Sequence, residues 1–204
     1  MEDFHQQLLD PSSYPEETHA ITFKETHISR IYLTDRHAYK LKKPLDLGFL
    51  DFSTLEKRLH FCNEEVRLNR RYTSGTYLGV LALRRGNGKV SFGGRGEVVD
   101  YAVQMRRLPE ERMLNRLIET GAAELPEAMP RLGAALLALL DQSAVCRDEP
   151  MRNLDVVREN CAENFRQTRQ AIGTALTEEA HTLCRKATED DLDALAELLL
   201  DREA

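Results

Sequence analysis

The chain has 204 residues, 42% of them apolar and 30% charged, with a formal net charge of −6. This is the composition of a folded globular chain rather than a disordered one, and no stretch approaches the ~20 apolar residues of a membrane span. The charge is unevenly divided: residues 1–20 carry five acids and no bases, residues 21–108 carry 17 Lys/Arg against nine Asp/Glu, and residues 109–204 carry 11 against 20. A basic segment joined to an acidic one predicts two units with different roles, the basic one suited to an anion. The acidic N-terminus lacks a secretory pattern, and Cys62, Cys146, Cys161 and Cys184 are widely separated. A reducing cytoplasm is therefore expected, with no zinc or disulfide framework.

Residues 1–20 hold two prolines and read as an irregular arm or a short helix. Strands follow at Ile21 to His27, Arg30 to Thr34 and His37 to Lys43, with Asp35-Arg36 as a tight turn. Pro44 ends the third strand because it cannot donate to the ladder. Residues 45–52 form an apolar loop. Ser53-Thr54-Leu55-Glu56 reads as a capping box opening a helix, and Leu55, Leu59, Cys62 and Val66 keep one face apolar to about Asn69. Tyr77 to Leu83, Lys89 to Phe92 and Val98 to Met105 are further strands, with Gly86-Asn87-Gly88 as a hairpin turn. After Pro109 the pattern turns helical: Glu110 to Thr120, Pro126 to about Gln142, residues 152–172 and residues 177–186. Thr188 then caps a last helix that has Glu189, Asp190 and Asp191 at its positive end. The fold class is α+β: an antiparallel sheet lobe with one helix, then helices. The expected divisions are an arm at 1–20, the sheet lobe at 21–108 and a helical part at 109–204.

Three groups of residues are suited to chemistry. In Tyr39-Lys40-Leu41-Lys42-Lys43-Pro44, strand alternation puts Lys40 and Lys42 on one face, where two ammonium groups would neutralise a polyphosphate. Lysines alone more often mark a solvated strand face. On the following helix Glu65 borders the buried side beside Cys62 and Val66, while Glu64 sits further out. Both also fit ordinary surface pairing with Arg67 or Arg71. Tyr101 to Pro109 is a strand running into the boundary between units, a common place for small-molecule binding. It equally fits an inner strand followed by a linker. Other patterns carry nothing. Gly86-Asn87-Gly88-Lys89 lies between strands and is no phosphate loop. His27, His37 and His60 have no metal-ligand spacing, and the region from Ser143 to Cys146 is no nucleophile elbow. No aromatic-and-basic nucleic-acid motif is present, so nucleic acid is not an expected partner.

Several stretches together resemble a known family. They are Glu25-Thr26-His27-Ile28-Ser29, Ala38 to Pro44, Gly48-Phe49-Leu50-Asp51-Phe52-Ser53-Thr54-Leu55-Glu56, His60-Phe61-Cys62, Glu65 to Arg70 and Tyr101 to Arg107. In this order they resemble the N-terminal part of bacterial aminoglycoside-phosphotransferase-like proteins, which have a protein-kinase-like fold and are often fused to a C-terminal P-loop kinase-type domain. The resemblance is dense from about residue 14 to residue 110 and thin afterwards. It implies that Lys42, with Lys40 second, is the nucleotide-phosphate lysine and that Glu65 is its helix partner. It implies that Ile28 and Ser29 lie where a loop covers the phosphates, and that Met105, Arg106, Arg107 and Leu108 form the adenine-contacting hinge.

The resemblance further implies ATP or another nucleoside triphosphate, with magnesium, and a hydroxyl-bearing small molecule as acceptor. Such enzymes need a catalytic aspartate in a His-Gly-Asp-x4-Asn pattern and a later magnesium-binding aspartate. Neither is found here: His181 has no aspartate following, and Asp190-Asp191-Leu192-Asp193 reads as helix-start charge. No catalytic or metal-binding residue is therefore assigned. The expectation is a nucleotide-binding portion, truncated before its catalytic loop and not competent alone, with uncovered helical surface prone to self-association. The alternative is a non-catalytic interaction module whose basic lobe meets an anionic partner or a separately encoded C-terminal half.

Overall fold

The computed structural model describes residues 4–142 and 153–201. The chain divides into two compact units, Met1–Ser143 and Ala144–Ala204. Cys146 and the residues around it lie outside the described part.

The first unit is built on six antiparallel strands: β1 (Thr22–Glu25), β2 (Ser29–Leu33), β3 (His37–Lys42), β4 (Tyr77–Gly86), β5 (Lys89–Phe92) and β6 (Glu97–Arg106). Their order across the sheet is β1-β2-β3-β6-β4-β5. The strand pairs β1–β2, β2–β3 and β4–β5 are joined by tight turns. The β4–β5 turn is the expected one: Asn87 and Gly88 have φ of 51° and 76°, the left-handed values that a two-residue hairpin needs. Gly96 is required for another reason. At φ +129° a Cβ there would sit 1.9 Å from the Arg85 carbonyl oxygen.

Strand alternation divides the core into two layers. Tyr32, Tyr39, Leu41, Leu83 and Ala102 share one face with Val90 and Phe92. The N-terminal arm covers this face. It forms α1 (His5–Leu8) and a 3-10 turn at Pro11–Ser13, and it buries Leu8 and Tyr14 in the same cluster. The Tyr14 hydroxyl donates to the Leu8 carbonyl at 2.6 Å, and the Val90 amide donates to the Gln7 side chain at 2.8 Å. The arm thus supplies part of the core that its low periodicity concealed.

The opposite face carries Val103, packed with Cys62 and Val66 of α2 (Leu55–Asn69). The N-cap of α2 is Thr54, which accepts from the Lys57 amide. The expected cap, Ser53, instead donates to Asp51 at 2.6 Å. The helix therefore starts one residue later than the motif reading placed it. After β6 come a 3-10 turn at Glu110–Arg112, α3 (Leu114–Glu119) and α4 (Leu125–Asp141). No residue of α4 is buried.

The second unit consists of α5 (Asn153–Thr168), α6 (Glu178–Ala194) and α7 (Ala196–Asp201). His181 is buried, with its ring edge-on to Phe165 and its Nε2 3.0 Å from the Phe165 carbonyl oxygen. Arg158 of α5 pairs with Asp193 of α6 at 2.6 Å. The break expected at Thr188 is absent: α6 runs straight through it. The Thr188 hydroxyl donates to the Cys184 carbonyl, an i−4 bond that a mid-helix threonine makes in place of capping. No described helix is long and apolar enough to cross a membrane.

Candidate functional site

Sheet register brings the lysines of β3 into a defined row. Ser29, Ile31 and Leu33 of β2 stand opposite Lys42, Lys40 and Ala38. On the other side of β3, Val103 and Met105 of β6 stand opposite Lys40 and Ala38. Directly opposed residues share a face, so this face runs from apolar (Leu33, Ala38, Met105) to cationic (Lys40, Lys42). Its ends at Ala38 and Lys42 are four residue steps apart, roughly 13 Å of strand.

Glu65 of α2 meets both lysines. Lys40 Nζ donates to Glu65 Oε1 and Lys42 Nζ to Glu65 Oε2, each at 2.8 Å. The three side chains differ in exposure: 27% for Lys40, 6% for Lys42 and 13% for Glu65. Burial pushes the Glu65 carboxyl up, and the two lysines outweigh it, leaving the group below its ordinary value. The Lys42 ammonium also lies 4.8 Å from the centroid of the Phe52 ring, which is itself 2% exposed. A cation against an aromatic face is favoured more strongly when desolvated.

The loop and helix that carry Phe52 and Glu65 are fastened by a second buried pair. Arg58 donates through Nε to Asp100 Oδ1 at 2.7 Å and through Nη1 to the Phe52 carbonyl at 3.1 Å. Arg58 and Glu65 are seven residues apart, two helical turns, and so face the sheet together. Cys62 between them is fully buried, which pushes its thiol up to about 11. A thiol so placed stays protonated and acts as packing.

The other expected residues are placed as follows. Ser29 is fully buried, and its hydroxyl finds no hydrogen-bond partner among the described residues. The turn before it is closed by Thr26, whose hydroxyl accepts from the Ser29 amide at 3.0 Å. The Ile28 carbonyl accepts from the Lys43 amide at 2.8 Å. Met105 is half-buried on the lysine face, and Arg106 is exposed. Arg107 folds back on the β2–β3 turn: its amide donates to Arg36 O at 2.8 Å and its guanidinium to Thr34 O at 2.7 Å. Leu108 is exposed. The structure thus gathers Lys40, Lys42, Glu65, Ser29 and Met105 on one face. Arg107 is engaged with the β2–β3 turn instead.

Phe52, Arg58 and Asp100 were not among the expected site residues. Phe52 lies in a loop without periodicity, and nothing in the residues around Asp100 signals a partner on α2. Among the described residues there is no group of three His, Cys, Asp or Glu able to hold a metal ion.

No family model matches the chain, and no solved structure matches it. Uncharacterized protein Rv2004c of Mycobacterium tuberculosis (strain ATCC 25618 / H37Rv) and uncharacterized protein Mb2027c of Mycobacterium bovis are each 35% identical to it over 101 residues. The matched stretch is 50% of this chain and 19% of each relative, so the chain spans about a fifth of the length of the proteins it resembles.

Proposed function

We propose that the sheet lobe is the nucleotide-binding lobe of a protein-kinase-like phosphotransferase and that it binds ATP or another nucleoside triphosphate. The observation that carries this reading is the polarity of the β3 face. Leu33, Ala38 and Met105 offer an apolar surface for a base at the end where the chain leaves the sheet. Lys40 and Lys42 offer cations for phosphates at the other end. A strand lysine held by a helix glutamate is the arrangement by which kinases fix a lysine against nucleotide phosphates; here two lysines share the glutamate. The strand order supports the same reading, as does the partnerless Ser29 hydroxyl opposite Lys42. A phosphate oxygen entering beside Lys42 would satisfy that hydroxyl.

The residues of this face suit the charges of a nucleotide's phosphates. Among the described residues no group of three His, Cys, Asp or Glu stands together to hold a metal ion. The proposed role is therefore binding and orientation of the triphosphate. When bound, the nucleotide supplies the transferable phosphoryl group. Lys40 and Lys42 would supply positive charge beside its phosphates, and Glu65 would keep that charge at this end of the face.

Isothermal titration of the full chain with ATP tests this. Saturable binding that is lost in the Lys40→Met/Lys42→Met double variant is the expected result. Absence of binding by the unmodified chain at millimolar ATP refutes the reading.

A further inference from the structure

The two lysines on Glu65 are not equivalent. Lys42 Nζ is held on two sides, by Glu65 Oε2 at 2.8 Å and by the Phe52 ring at 4.8 Å. The ring is anchored in turn: the Phe52 amide donates to Leu45 O at 2.7 Å, and its carbonyl accepts from Arg58. Across the ladder from Lys42 stands the fully buried Ser29. At 6% exposure and with both contacts to keep, Lys42 is the less accessible of the two lysines. Lys40 is 27% exposed and is flanked across the ladder by Ile31 and Val103. Among the described residues its ammonium pairs with Glu65 Oε1 at 2.8 Å.

A buried carboxylate with one lysine cannot release that lysine cheaply, because withdrawal leaves an uncompensated buried charge. With two lysines, one on each oxygen, either can leave while the other keeps Glu65 paired. We propose that Lys42 is the standing counter-ion of Glu65 and a positioning residue, while Lys40 is the lysine that an anionic ligand recruits. This rests on the nucleotide reading for the identity of the ligand. It reverses the order that the family resemblance implies, in which Lys42 comes first. The second lysine makes recruitment of the first compatible with an ionised Glu65. Without Lys42, an anion that draws Lys40 away would force Glu65 to take up a proton.

The assignment is tested first without ligand. Carboxyl-carbon NMR titration follows Glu65 in the unmodified chain, in Lys40→Met and in Lys42→Met. Lys42→Met is expected to raise the Glu65 midpoint by at least about one unit more than Lys40→Met does, roughly a tenfold difference in proton affinity. Lys40→Met is expected to keep the melting temperature within about 3 °C of the unmodified chain. Equal shifts, or a larger one in Lys40→Met, overturn the assignment. If Lys42→Met does not fold, Lys40→Met decides alone: a Glu65 midpoint still below the ordinary carboxylate range supports the assignment, and one above it refutes it.

Calorimetry with ATP in buffers of different ionisation heat is the second test. Lys40→Met should lose at least about tenfold in affinity, about 1.4 kcal/mol. The Lys42→Met complex should take up a proton that the unmodified complex does not, and Lys42→Arg should abolish that uptake. A merely structural Lys42 would change melting but not proton uptake, and that result overturns the positioning role. If the unmodified chain does not bind ATP, the nucleotide reading fails, and the ligand-free titration still decides which lysine holds Glu65.

Discussion

Arg58 and Asp100 form a buried ion pair that links α2 to β6, with Nε and Oδ1 2.7 Å apart and side chains 8% and 13% exposed. Burial raises the Asp100 carboxyl above its ordinary value, and Arg58 works against that rise. Because Arg58 also holds the Phe52 carbonyl, one guanidinium sets both the height of α2 over the sheet and the place of the ring behind Lys42. Arg58→Met leaves Asp100 buried without its cation. The expected loss is about 3–5 kcal/mol in urea unfolding. The double variant Arg58→Met/Asp100→Leu should recover much of it, since removing both charges also removes the desolvation cost. A single-variant loss below about 1 kcal/mol, the scale of an exposed pair, would contradict the buried assignment.

The arm predicts a second set of losses. Leu8 is 1% exposed, and the Tyr14 ring lies 4.9 Å from Tyr39 and 5.7 Å from Phe92, centroid to centroid. Leu8→Ala is expected to cost about 2–5 kcal/mol through lost burial and a cavity. Tyr14→Phe should cost about 1 kcal/mol through the lost bond to Leu8 O. Thermal melts measure both. If Leu8→Ala melts with the unmodified chain, the arm is not part of the core.

The legible and illegible parts of this molecule divide by the range of the signal. Period-two alternation in β3 puts Lys40 and Lys42 on one face, and the helical phase of Cys62 and Val66 puts Glu65 at the border of the buried side. Asn87-Gly88 announced its turn because only left-handed backbone closes it. Thr188 misled because a threonine followed by three acids has the chemistry of a cap, whereas its hydroxyl bonds backwards within a continuous helix. Arg58 and Asp100 lie 42 residues apart, and no local pattern links them. Residues 1–20 read as an irregular arm or a short helix, but their place in the core did not show, because four helical residues are too few to display a period.

Glu16 binds the arm to the β2–β3 turn and offers a third prediction. Its carboxylate accepts from the Thr34 hydroxyl and pairs with His37 Nδ1. The Tyr39 hydroxyl lies 3.5 Å away. The side chains of His37 and Glu16 are 25% and 14% exposed. Since Arg107 also holds this turn, through the Thr34 carbonyl, the arm and the end of β6 share it as an anchor. A double-mutant cycle of Glu16→Gln and His37→Gln is expected to give a coupling of about 0.5–3 kcal/mol. Additive losses would show that the two side chains do not act as a unit.

The acid limb of the stability curve should report Glu65. Its folded value lies below the ordinary 4.5. A depressed acid contributes stability that is fully present above its unfolded value and lost as pH falls through its folded value. Asp100 acts in the opposite sense. Raised above its ordinary 3.8, it lowers stability at neutral pH, and that cost disappears as pH falls below its unfolded value. Glu65→Gln removes the first contribution and leaves the second. The variant should be less stable than the unmodified chain by on the order of 3 kcal/mol at about pH 7, where it leaves the buried Lys42 and the half-buried Lys40 without their carboxylate. The gap should narrow towards about pH 3 as the unmodified chain protonates Glu65. Urea titrations at the two pH values give both differences. A gap that stays constant would mean that Glu65 does not titrate with folding, and that the lysines do not hold it ionised.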